Sequence, residues 1–80
     1  MEDKFKAKLV IDPFSMLIVS QQGVLKRVFC PFWVRCRSPT ETISINQRML
    51  VDMVKSDSYK RIQYVIKGKV YNHSLFEILV

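Results

Sequence analysis

The sequence predicts an all-β fold, a small curled sheet or barrel of roughly five to seven short strands. Three observations predict it. Two segments, FKAKLVID (5–12) and YKRIQYVIK (59–67), alternate apolar and polar residues with the period of a half-buried strand. Turn-forming residues return at short spacing: Asp12-Pro13, Gln21-Gln22-Gly23, Ser56-Asp57-Ser58 and Gly68. Only the stretch 43–57 fits a helical stripe, and it fits a strand equally well.

The first strand puts Phe5, Ala7, Leu9 and Ile11 on one face and Lys4, Lys6, Lys8 and Val10 on the other. Asp12-Pro13 ends it, because proline lacks a donor and pushes the residue before it out of the helical region. MLIVS (16–20) is a short continuous apolar run, as in a strand covered on both faces or lying in a barrel. Gly23 supplies the backbone freedom of the turn that follows. VLKRVF (24–29) and FWVRCR (32–37) are the next strands, and Pro31 between them marks a bulge or an edge. SPTET (38–42) is loop.

The stretch ISINQRMLVDMVKSD (43–57) admits two templates. As a strand it sets Met49, Val51 and Met53 against Leu50, Asp52 and Val54. As a helix it starts at Ser44, answered by Gln47 in the S-x-x-Q form of a capping box. Ile45, Met49, Leu50, Met53 and Val54 then form one stripe. The β-rich surroundings favour a strand over 49–55, the alternative being an α+β fold with one helix near 44–55. Further on, Ile62, Tyr64 and Ile66 face one way, and Tyr59, Arg61, Gln63, Val65 and Lys67 the other. Gly68 turns a tight hairpin into 69–71, and NHSLFEILV closes the chain with a short turn and a last strand.

A short sheet buries its apolar face by curling, and closure also removes exposed edges. The number and spacing of strands across the chain resemble an SH3-like or OB-like barrel, and no motif brings a function with that resemblance. Eighty residues hold one domain, 1–80. Such a domain buries only about 60–65% of the surface its unfolded chain exposes, so its stability margin is thin.

Thirteen basic and seven acidic residues leave a net charge of +6, which favours anionic partners such as nucleic acid or a membrane surface. The charged start, MEDKFKAK, and the break at Asp12-Pro13 do not match a signal peptide. The longest apolar run is far shorter than the ~20 residues that cross a bilayer. No membrane span is expected, and the expected location is cytoplasmic. There the Asn72-His73-Ser74 sequon stays idle.

Cys30 and Cys36, on one extended strand, lie about 20 Å apart, too far for a disulfide. Two thiols and one distant histidine do not complete a zinc site, and the spacing is not C-x-x-C. Both cysteines read as small core residues. Catalysis finds little support. Glu2, Asp3, Asp12, Glu41, Asp52, Asp57 and Glu77 are scattered, and His73 sits in a loop without an evident nucleophile. Neither Gly23 nor Gly68 belongs to a phosphate-binding loop. The expectation is a non-enzyme without cofactor or metal.

Binding has more support. With Phe32, Val34 and Cys36 inward, Trp33, Arg35 and Arg37 share an outward face. A flat aromatic beside guanidinium groups is the make-up of a single-stranded nucleic-acid platform. Tyr59, Arg61 and Lys67 could extend it, and Lys4, Lys6 and Lys8 add a basic row. The competing reading is that Trp33 plugs the barrel and the charges are a solvated, edge-protecting face. The leading expectation is a small basic module for protein interaction or structure, with nucleic acid as the alternative partner. A homodimer formed by strand addition along 16–20 also stays open.

Overall fold

A computed structural model describes residues 5–79. Lys4, placed by the sequence on the first strand, and Val80, placed on the last, lie outside the described residues. Among the described residues nine antiparallel strands follow one another: β1 (Phe5–Asp12), β2 (Ser15–Ser20), β3 (Leu25–Phe29), β4 (Phe32–Cys36), β5 (Arg48–Val51), β6 (Met53–Ser56), β7 (Ile62–Ile66), β8 (Lys69–Asn72) and β9 (Phe76–Leu79). A single 3-10 turn, His73–Leu75, links the last two. The strands form three three-stranded sheets, ordered β1-β2-β3, β5-β4-β9 and β6-β7-β8. None of the three closes on itself, so the expected all-β class holds but barrel closure does not. There are also more strands than expected, because the chain changes sheet where the sequence suggested it would run on.

Asp52 is one such place. The expected strand 49–55 is two strands, β5 against β4 and β6 against β7. Between them the Asp52 N–H donates to the Val65 carbonyl (2.9 Å), and its Oδ2 accepts the Lys67 N–H (3.1 Å). The break shifts the alternation by one residue, so Val51 and Val54 are both buried. The helix near 44–55 does not form. Half of the capping box forms, the Ser44 N–H donating to Gln47 Oε1 (3.0 Å), but the Gln47 N–H donates to the Ser44 backbone carbonyl (3.2 Å) and not to its hydroxyl. Both bonds span a turn whose third residue, Asn46, has φ 67°, which no helix continues.

β1 departs from its expected faces. Its register with β2 shifts between Ala7 and Leu9 and again between Val10 and Asp12. Each shift is a bulge that inserts one unpaired residue and reverses which side faces inward. Phe5, Ala7 and Val10 therefore pack on the core, while Leu9 and Ile11 are exposed. The run 16–20 falls within β2, the central strand of its sheet, bonded on both sides. Strand addition along it has no free edge to use, which removes that route to a dimer.

The three sheets share one core. Met16, Ile18 and Val28 enter from the first, Phe32, Val34, Cys36, Val51, Phe76 and Ile78 from the second, and Val54, Ile62, Tyr64 and Ile66 from the third. The inward sets expected for β4 and β7 are the buried ones. Tyr64, 1% exposed, lies at the centre. Its ring meets Phe32 edge-on at 5.6 Å and Phe76 at 6.0 Å. Such pairs add about 0.5–1.5 kcal/mol beyond the area they bury.

Candidate interaction surfaces

The outward face of β5-β4-β9 carries the residue on which the nucleic-acid reading depends. Trp33 is 51% exposed and does not plug the core. Its cross-strand neighbours are Leu50 and Leu79, so the indole sits in an apolar row rather than a basic one. The next row is Arg48, Arg35 and Glu77. Arg35 Nη2 is ion-paired with Glu77 Oε2, and both groups are largely covered. A guanidinium held this way has its charge balanced locally and has little left for a phosphate. Arg37 lies past the end of β4, where its Nε donates to the Ser74 carbonyl (3.2 Å). Arg48, exposed on the same face, was not singled out from the sequence, because only the β4–β5 register places it beside Arg35.

The expected extension of this face divides in two. Tyr59 and Arg61 sit in the loop before β7, and Lys67 in the turn after it. Six residues of extended chain separate Arg61 from Lys67, about 20 Å. Arg61 is also engaged: its guanidinium stacks on the Tyr59 ring (5.2 Å) and its Nε donates to Asp57 Oδ2 (2.6 Å). Asp57 accepts the backbone N–H groups of Arg61 and Tyr59 as well, and these bonds, led by Arg61, hold its carboxyl below the usual range. Trp33 and Arg35 thus belong to the second sheet, Arg37 lies just past β4, and Tyr59, Arg61 and Lys67 lie at the two ends of β7 in the third.

The outward face of β1-β2-β3 gathers large apolar side chains. By register its rows are Lys6, Val19 and Leu25; Leu9, Leu17 and Arg27; and Asp12, Ser15 and Phe29. Leu25 is 54% exposed and Phe29 61%. Arg27 lies across the lower rows, donating to Ser15 Oγ (3.0 Å) and Asp12 Oδ2 (3.2 Å), with its guanidinium over the Phe29 ring (4.9 Å). The Phe14 N–H is the main cause of a lowered Asp12 carboxyl, with Ser15 and Arg27 adding to it. Sequence alternation concealed this face. Leu9 and Ile11 join the exposed side only because of the bulges, which FKAKLVID does not announce.

His73, placed by the sequence in a loop, is half-buried, and its Nδ1–H donates to the Ile62 carbonyl (2.9 Å) while its ring meets Tyr64. The cap of that turn is Asn72, whose Oδ1 accepts the Ser74 N–H. Neither cysteine is in a disulfide. Burial, with smaller contributions from the Asp52 and Asp12 carboxylates, pushes the Cys30 thiol up to about 11. Among the described residues no three His, Cys, Asp or Glu side chains converge as a metal site, and no helix is long and apolar enough to cross a membrane. Comparison of the chain with protein-family models, with curated proteins and with solved structures finds no match.

Proposed function

We propose that this chain is a non-catalytic protein-interaction module that docks its partner on the outward face of β1-β2-β3. One observation carries this reading: Leu9, Leu25 and Phe29 are exposed together on one sheet face, with half-buried Leu17 and Val19 between them. Scattered exposed apolar residues need no explanation, but a contiguous set rimmed by polar groups is the usual mark of a docking surface. Arg27 on this face is paired with Asp12, which leaves Lys6 and the net charge of +6 to favour a partner whose apolar segment is flanked by carboxylates.

The test is a nitrogen-15 NMR titration of the whole chain with two amphipathic peptides, one of Leu and Glu and one of Leu and Lys. The Leu/Glu peptide is expected to shift the amides of Leu9, Leu17 and Leu25, and Leu25→Ser with Phe29→Ser to weaken it at least about tenfold, or ~1.4 kcal/mol. Shifts spread evenly over the surface, or the same for both peptides, would sink the proposal.

A second reading rests on the exposure of Trp33 beside Arg48. If single-stranded nucleic acid is the partner, oligothymidylate quenches the tryptophan at low salt and not at high salt. Unchanged fluorescence at low salt excludes it.

A further inference from the structure

β8 is the end strand of β6-β7-β8, bonded to β7 on one side only. Its register identifies the backbone groups that face away from β7. The turn Lys67-Gly68 closes on the pair Ile66 and Lys69, and a two-residue hairpin turn closes on a pair that exchanges hydrogen bonds. Bonded and non-bonded pairs alternate along an antiparallel ladder. Tyr64 with Tyr71 is therefore a bonded pair, whereas Val65 with Val70 and Gln63 with Asn72 are not. The N–H and C=O of Val70 and the N–H of Asn72 point away from the sheet. Among the described residues no turn or loop hydrogen bond reaches them. An open groove of about 560 Å³ is lined by Lys69, Val70 and Tyr71 together with Thr40, Glu41 and Thr42.

The geometry points to β8 as the docking edge for an extended segment of a partner protein, which adds a fourth strand to the third sheet and sets an acidic side chain near Lys69. This inference rests on reading the chain as an interaction module. Outward amide and carbonyl groups are matched by another extended backbone and not by a helix, whose own groups are already bonded. The four residues of β8 offer an edge about 13 Å long, enough for a short linear segment. Charge selects among strands. Lys67 and Lys69 stand at the start of the edge against a single carboxylate, Glu41, in the groove, and the chain carries +6, so a second copy brings like charge to like, whereas an acidic segment brings its complement. Lysines on an edge are also a common guard against self-pairing.

Val70→Pro tests the edge directly. It removes one outward donor that the β7 ladder does not use, and proline is tolerated on an edge strand when its missing N–H faces out. Val70→Thr keeps the donor and the branched side chain. Random peptides displayed on phage are selected against the whole chain and then measured singly. The expected winners carry an acidic residue, bind wild type and Val70→Thr alike, and bind Val70→Pro about tenfold more weakly. In wild type, the Val70 and Asn72 amides exchange quickly when free and slowly in the complex, and those of Lys69 and Tyr71 are slow throughout. This second readout holds even if Val70→Pro does not fold. Peptides indifferent to Val70→Pro, but weakened by Leu25→Ser, overturn the edge and leave the module reading standing. Failure to enrich any peptide overturns both. Concentration-dependent protection of Val70 in the free chain identifies a second copy as the occupant and overturns the partner segment.

Discussion

Cys30 shows how a single residue's chemistry is set by what surrounds it. A thiol with a pKa below the ordinary value sits beside cations or at a helix N-terminus, and one buried in apolar surroundings is raised. The fold half-buries Cys30 and brings two carboxylates toward it, and its pKa rises to about 11. At pH 8 that leaves about one thiol in a thousand ionised, against about one in ten at the ordinary value of 9.0. Iodoacetamide at pH 8 is therefore expected to label Cys30 in the folded chain about a hundredfold more slowly than in the denatured chain, read by peptide mass mapping. Equal rates would mean that the thiol is neither shielded nor perturbed. The same shift makes stability depend on pH. Between about 9 and about 11 the native thiol keeps a proton that the unfolded one has lost, so stability falls as pH rises through that window.

Among the elements, the hairpin β7–β8 was the most legible in the sequence and β1 the least. Ile62, Tyr64 and Ile66 alternate without interruption, and Gly68 marks the turn, so both the buried face and the hairpin could be read from local rules. Both turn residues have positive φ, Lys67 at 51° and Gly68 at 79°, the pattern of a type I′ turn. Nothing lies within 4 Å of a Cβ built on Gly68, so Gly68→Ala is strained by its backbone alone and is expected to cost about 1 kcal/mol. Lys67→Asn puts a residue that tolerates this conformation in place of one that does not, and is expected to gain about 0.5–1 kcal/mol. Urea midpoints should move in opposite directions at an unchanged slope; two shifts of the same sign would show that something other than φ governs the turn. In β1 the same alternation rule failed because a bulge is a tertiary accommodation. Lys8 is extruded so that Val10 can meet Met16, and no property of Lys8 itself signals it. The pairing of Arg35 with Glu77 was hidden for a related reason. It joins residues forty-two positions apart and exists only through the β4–β9 register.

At the scale of the molecule, the question is whether three separate sheets unfold as one. No sheet has a core of its own. Each presents one apolar face, and all three faces meet in a single cluster. A three-stranded sheet stripped of its neighbours would expose that face to water, and a domain of this size has little stability in reserve. Tyr64 tests the coupling because it belongs to the third sheet but touches Phe32 and Phe76 of the second. Tyr64→Ala deletes a fully buried ring together with both ring contacts, a change that costs about 3–5 kcal/mol in other cores. If the core is one unit, that loss appears in every probe. Trp33 fluorescence, which reports the second sheet, and far-ultraviolet circular dichroism, which reports all strands, should move to lower denaturant together and remain superimposable. A Trp33 transition left in place while the dichroism shifts would mean that the second sheet holds without the third, and that the open sheets are separate folding units around a shared surface.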